Sequence, residues 1–292
     1  MSALMAASLN PYITQFDVTF DAEKSPKYGM TIQLALGGFS FAILDTSNRS
    51  IVGLEFYQSG TLLDSVELFG GIIKALEAND LSQRKFSSVT FIVDDRINTL
   101  VPKALFDEEA SASYLDFSFN TQEAYKILTD EIAESGCVNV YALPMSLYSK
   151  LSGRWPEARF IHASTVFVRS IVGTASNSIH NVLIQVRSRN FDLAITENGK
   201  LRFFNNFRFN TKEDFVYFLL FAFEQQQLSG LEVPVRFSGL IQSASDIIEL
   251  CDRYISDIKF VGSDMELKVA TDLAEFPFHY YYIHYQTLKC ES

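Results

Sequence analysis

Ile32-Gln-Leu-Ala-Leu-Gly-Gly-Phe-Ser-Phe-Ala-Ile-Leu44 returns 152 positions later as Ile184-Gln-Val-Arg-Ser-Arg-Asn-Phe-Asp-Leu-Ala-Ile195. Ile32/Ile184, Gln33/Gln185, Phe39/Phe191, Ala42/Ala194 and Ile43/Ile195 are identical, and Leu34/Val186 and Phe41/Leu193 are conservative. In each copy the apolar residues alternate, which places them on one face of a strand. Ile32, Leu34 and Leu36 share one face, as do Phe39, Phe41 and Ile43. Gly37-Gly38 reads as a two-residue hairpin turn, where positive φ is needed. Each copy also leads into the same succession of elements: a short turn, a third strand, then a helix with a capping signature.

In the first half the third strand is 51–57. Thr61 is expected at a helix N-cap, with Asp64 three residues on. The helix runs to about Ala78 with a stripe of Leu62, Val66, Phe69, Ile73 and Leu76. A buried strand over 88–93 ends in Asp94-Asp95-Arg96, and Pro102 is expected at a helix start. Residues 114–119 alternate like a strand, and 125–132 suit either a helix or a hairpin arm. Strand 138–143, helix 146–151, strand 159–162 and helix 164–172 come next. The boundary between halves is expected in 173–178.

In the second half, strands are read at 182–186, 191–196 and 201–207, with Asn198-Gly199 as a hairpin turn. Thr211 and Asp214 repeat the capping signature, and the helix continues to about Gln227. Strand 232–237, helix 245–254 and strand 259–261 complete the series. The segment 215–223 is apolar on all sides and is expected to be buried on all sides. The aromatic tail 276–285 suits either core or interface. Part of the surface made by one of these two segments is expected to touch another chain.

Composition narrows the function classes. Hydrophobic residues are 48% and charged residues 20%, which is a globular balance. A net charge of −11 argues against a nucleic-acid binder, which needs a basic footprint. The one locally basic stretch is 187–208. Cys137, Cys251 and Cys290 are far apart, fitting thiols in a reducing compartment rather than a disulfide framework. The longest apolar run is about half of the ~20 residues that a membrane span needs. These features lead us to expect a soluble cytoplasmic protein.

Two halves of three antiparallel strands followed by helix, strand, helix and strand resemble the duplicated ribonuclease-H-like plan. That is an α/β class in which each half-domain is a mixed sheet flanked by helices. The chain is similar to the actin-like ATPase superfamily, which includes actin, sugar kinases and the type IV pilus assembly ATPase-like proteins. Leu36-Gly-Gly-Phe-Ser-Phe together with Thr99-Leu-Val-Pro-Lys-Ala-Leu-Phe106 resembles a family of bacterial proteins of unknown function assigned to this fold. The resemblance implies half-domains over 1–175, with an inserted segment at about 107–136, and over 176–292.

It also implies an inter-domain cleft for ATP, with an acid and a glycine in each first hairpin turn for Mg²⁺ and phosphate. Here Gly37 and Gly38 remain, but Ala35 stands at the acid's place. The second turn is Arg187-Ser-Arg189-Asn190, with neither. A glycine pair that would admit adenosine is half kept at Ser238-Gly239. Asp94 and Asp95 read either as displaced metal-binding or general-base carboxylates or as a solvated loop pair. Arg187 and Arg189 read either as an anion site or as a charged strand edge. His279 and His284 are five apart, a poor metal-ligand spacing on either a helix or a strand, while His162 and His180 read as structural. The expectation is therefore a binding or scaffold protein with lost nucleotide chemistry. The alternative is an atypical ATPase or kinase that still takes ATP in the cleft.

Overall fold

The computed structural model describes residues 11–35, 37–116, 124–172, 179–262, 267–270, 273 and 276–291, with 116, 290 and 291 described by their backbone alone. The chain opens with β1 (Pro11–Phe16), β2 (Tyr28–Ala35), β3 (Gly38–Asp45), β4 (Ser50–Gln58), α1 (Ser65–Ala78) and β5 (Ser88–Asp94). An excursion comes next: β6 (Asn98–Pro102), α2 (Ser111–Asp116), β7 (Tyr125–Ile132), β8 (Cys137–Pro144) and α3 (Met145–Arg154). The chain then returns with β9 (Arg159–His162) and α4 (Ala163–Ile171). The second series is β10 (His180–Val186), β11 (Asn190–Glu197), β12 (Lys200–Arg208), α5 (Lys212–Gln225), β13 (Val235–Gly239), α6 (Asp246–Cys251) and β14 (Ile258–Phe260). β15 (Lys268–Val269) and α7 (Tyr282–Glu291) close the chain.

The duplication is visible in strand order. One sheet runs β1-β4-β3-β2-β5-β9, and the other runs β12-β11-β10-β13-β14. Each therefore contains an antiparallel meander whose first strand is flanked by a parallel strand delivered by a crossover. The register agrees as well. Ile32 faces Phe41 on one side and Phe91 on the other, and Ile184 faces Leu193 and Phe237. The excursion forms its own small sheet, β6-β8-β7.

The apolar faces explain the layering. Ile32, Leu34, Phe39 and Phe41 pack with Leu68, Ile72 and Leu76 of α1. Ile184, Val186, Phe191 and Leu193 pack with Phe215, Leu219 and Phe223 of α5. The opposite faces of both sheets meet in the middle, where Ile92, Leu183 and Ala194 share a cluster with Phe167 and Ile171 of α4 and Tyr282 and Ile283 of α7. Sheets covered on both faces have near-continuous apolar strands, as here. The tail also crosses back to the first sheet: β15 pairs with β4, and Tyr281, Tyr285 and Leu288 pack on Ala42, Leu44 and Leu54. The aromatic tail is core, held further by His284 between the hydroxyls of Thr31 (2.8 Å) and Ser40 (2.7 Å).

Several expectations need correction. Gly38 is not in the first turn but pairs with Ala35 as the first residue of β3; Leu36 lies outside the described residues. Gly38 is needed there because its φ is 148° and a Cβ would lie 2.0 Å from the Tyr57 carbonyl oxygen. The first-half N-cap is Asp64, not Thr61: Asp64 and Glu67 form a capping box, whereas Thr211 and Asp214 form the expected one. Leu62 and Val66 are accordingly exposed, and the buried stripe is Leu68, Ile72, Ala75 and Leu76. Residues 111–116 are helical where 114–116 were expected to be strand; the rest of 114–119 lies outside the described residues. Pro102 ends a strand and leads only into a three-residue 3-10 turn. α5 is not buried all round, since Tyr217 and Phe221 face solvent. The expected boundary, 173–178, lies outside the described residues.

Candidate functional site

Three loops converge at the carboxyl ends of the central strands. The first is the β2–β3 turn, where the Gly37 carbonyl accepts the Ser59 N–H at 2.8 Å and Gly38 sits opposite Gln58. The second is the β10–β11 turn, 187–190, closed by the Arg187 N–H on the Asn190 carbonyl at 2.8 Å. The third leaves β13 and runs into α6. Between them lies a cavity of about 300 Å³ lined by Tyr12, Gln58, Ser188, Leu240, Ile241, Gln242, Ser245 and Tyr280. Among the described residues, its wall carries no ionisable group other than two tyrosines. The Ser245 hydroxyl is buried there without a hydrogen-bond partner.

Beside this cavity the second turn bends its first arginine inward. Arg187 Nε lies 2.6 Å from Asp94 Oδ1, and its Nη2 lies 2.9 Å from Asp192 Oδ2. Asp94 belongs to β5 of the first sheet and Asp192 to β11 of the second, so one guanidinium ties the two sheets together. The arginine side chain is 14% exposed and the carboxylates 5% and 1%. Burial pulls the guanidinium pKa down, but the charges of Asp192 and Asp94 outweigh it and hold it above the ordinary arginine range. The remaining carboxylate oxygens are also met. Gln33 Nε2 donates to Asp94 Oδ2 at 2.7 Å, and Asn206 Nδ2 donates to Asp192 Oδ1 at 2.6 Å.

The repeat explains the two glutamines that survive in both copies. Gln33 holds Asp94, and its counterpart Gln185 accepts the Ser238 hydroxyl at 2.6 Å. Each thus fastens a polar residue at the end of the neighbouring parallel strand. Ser238 is fully buried, and its hydroxyl oxygen also lies 2.9 Å from the Ile184 carbonyl oxygen. Gly239 has a φ of 88°, and a Cβ there would meet the Val186 carbonyl oxygen at 2.1 Å.

Not all of the sequence candidates gather. Asp94 is not a solvated loop acid: it is buried and ion-paired. Asp95 points elsewhere; its side chain accepts the Arg96 N–H, burial raises its pKa, and its carbonyl accepts His162 Nε2 at 2.9 Å. Arg187 and Arg189 do not share a face, because they sit in a turn rather than a strand. Arg189 is exposed and does not line the cavity. Asp192 and Asn206 are the members that sequence reading missed. The one available signal was the acid at Asp192, two residues beyond the basic turn.

His162 is structural. It caps α4 by accepting the Ser164 N–H on Nδ1, and burial lowers its pKa to about 4. His279 Nε2 lies 2.8 Å from the Ile241 carbonyl. His180 is half-buried, with Nε2 4.0 Å from Glu197 and Nδ1 without a partner. No group of three or more His, Cys, Asp or Glu among the described residues is placed to hold a metal ion. No helix among the described residues is long and apolar enough to cross a membrane.

The family model described as "Protein of unknown function (DUF3822)" matches residues 17–258. The chain belongs to this family. A protein with actin-like ATPase fold and unknown function from Bacteroides thetaiotaomicron is similar in structure, with a TM-score of 0.71 at 21% identity over 83% of this chain and 94% of that one. A chain of the PilM–PilN type IV pilus biogenesis complex is similar with a TM-score of 0.56 at 9% identity, over 90% of this chain and 98% of that one. No curated protein matches significantly. This DUF3822 member therefore has the duplicated actin-like ATPase fold, and the three loops lie at the carboxyl ends of strands from both of its large sheets.

Proposed function

We propose that this DUF3822 protein is a non-hydrolysing binding or scaffold protein built on the actin-like fold, acting through a protein partner in the cytoplasm. One observation carries the reading. At the place in the second turn where the superfamily resemblance calls for an acid, Arg187 reaches across and neutralises Asp94. A cation there repels Mg²⁺, and a carboxylate already ion-paired is a poor ligand for it. The half-domains are taken as 1–175 and 176–292, with the tail returning to the first sheet.

A second reading, an atypical ATPase or kinase, draws on the neutral cavity and the unpartnered Ser245 hydroxyl. On that reading ATP would be expected beside Gly37, Gly38, Arg187, Arg189, Ser238 and Gly239, none of which is among the residues lining the cavity. About 300 Å³ is at the lower end of small-molecule pockets, so any nucleotide binding is expected to be weak and metal-independent. The deciding experiment is thermal unfolding with and without Mg-ATP, paired with an assay of phosphate release. A ligand at a hundred times its Kd adds about 2.7 kcal/mol of stability. Mg²⁺-dependent phosphate release, abolished by Asp94→Asn or Asp95→Asn, sinks the scaffold reading. No release and no Mg²⁺-dependent shift upholds it.

A further inference from the structure

The two equivalent sheet edges are treated differently. In the first sheet the outer side of β4 is covered by β1, antiparallel from Pro11↔Tyr57 to Phe16↔Gly53, and by β15 at Ser50 and Ile51. In the second sheet the equivalent strand, β12, ends the order. No backbone hydrogen bond among the described residues runs outward from it. The turn Ala133–Ser135 touches β12 without bonding its backbone, and the Asn206 N–H is met only by the neighbouring Asn205 Oδ1 at 2.9 Å. Among the described residues this nine-residue edge carries no paired strand, and an unpaired edge is a template for another strand.

The edge is flanked by an aromatic ladder. Phe203 stacks near Phe207 (6.4 Å), Phe207 on Phe218 (5.4 Å), Phe218 against Tyr217 (5.3 Å), and Tyr217 on Phe221 (6.2 Å). Tyr217 and Phe221 are 62% and 44% exposed, so the ladder runs from the strand onto the open face of α5. Exposed paired aromatics are the residue type on which binding energy concentrates. The ends of the strand are cationic, on a chain of net charge −11. Lys200 is exposed at one end; Arg208 and Arg189 are exposed at the other, joined by the Phe209 N–H on the Arg189 carbonyl. Arg202 is already held by Glu197 and Gln226. Two copies pairing through β12 would set these cations against each other, which disfavours self-association there.

We propose that β12 takes up an extended peptide strand from an acidic protein partner, adding a sixth strand to the second sheet. Backbone bonds give the added strand its hold, alternate apolar side chains lie against the Phe203–Phe207–Phe218 ladder, and carboxylates at its ends meet Lys200 and Arg208. This deepens the scaffold reading by naming the surface and the chemistry of its partner.

The test pans a displayed random twelve-residue peptide library on the full chain without nucleotide. The counter-selections are the Lys200→Glu/Arg208→Glu and Tyr217→Ser/Phe221→Ser proteins, all at exposed positions. The expected result is enrichment of peptides with alternating apolar residues and flanking acids. The best of them should bind at least tenfold more weakly to either double variant and should slow hydrogen exchange of β12 amides. Enrichment of basic peptides, equal binding to both variants, protection elsewhere, or no enrichment overturns the proposal. So does a concentration-dependent dimer of the free protein with β12 protected, which assigns the edge to a second copy. Phosphate release alongside intact edge binding would sink only the non-hydrolysing reading; loss of edge binding without phosphate release would sink only this one.

Discussion

Removing the Arg187 charge is the most informative single change. Arg187→Met keeps much of the side chain's length but leaves Asp94 and Asp192 without their shared partner. Both carboxylates are nearly inaccessible to water, at 5% and 1% exposure. Breaking a buried ion pair by deleting one partner costs about 3–5 kcal/mol, because the remaining charge stays desolvated. Two charges are stranded here, but Gln33 and Asn206 still donate to them, so the loss should stay within that range rather than double it. For a chain of this size it corresponds to a fall in Tm on the order of 10 °C. The assay is urea unfolding followed by far-ultraviolet circular dichroism. The triple variant Asp94→Asn/Arg187→Met/Asp192→Asn should recover most of the loss, since a whole buried network can be replaced at little net cost. A loss below about 1 kcal/mol for Arg187→Met would mean that the arginine is solvated and the groove open.

Other outcomes rest on single contacts. Gly38→Ala should destabilise by roughly 1–3 kcal/mol, because the backbone conformation and the Tyr57 carbonyl both exclude a Cβ. Gly37→Ala, with nothing within 4 Å, should be near neutral in the same denaturant titration. Asp64→Ala should cost about 1 kcal/mol, whereas Thr61→Ala should cost almost nothing; equal losses would restore Thr61 as the cap. Burial depresses the His284 pKa to about 3, so the folded state binds fewer protons than the unfolded state, and its contribution is present above about pH 6.5 and is lost as pH falls towards 3. His284→Gln should therefore flatten the stability–pH curve between about pH 6.5 and 5 by about 1.4 kcal/mol per unit, measured as urea midpoints at fixed ionic strength. An unchanged slope would show that the ring is already protonated in the folded protein.

The repeat was legible because side-chain alternation and hairpin turns are local. Ile32/Ile184 and Phe39/Phe191 hold equivalent core places, and Asn198-Gly199 turns with φ of 50° and 75° as that dipeptide should. That Ala35 and Arg187 stand where the resemblance calls for acids was also readable, since it needs no coordinates to notice. Caps were legible only in part: Thr61 and Asp64 both precede an apolar run, and Asp64 is the cap because Glu67 reaches back to close the box on it. Arg187, by contrast, read either as an anion-site residue or as a charge on a strand edge. What it does depends on Asp94 being 93 residues away in sequence yet 2.6 Å away in space. The same is true of the tail, whose aromatics are apolar in any reading but become core only because the chain crosses back over the first sheet. Local periodicity determines which residues want burial and in what element. Which charges meet, and which sheet edge is left uncovered, depends on long-range packing that one-dimensional pattern does not encode.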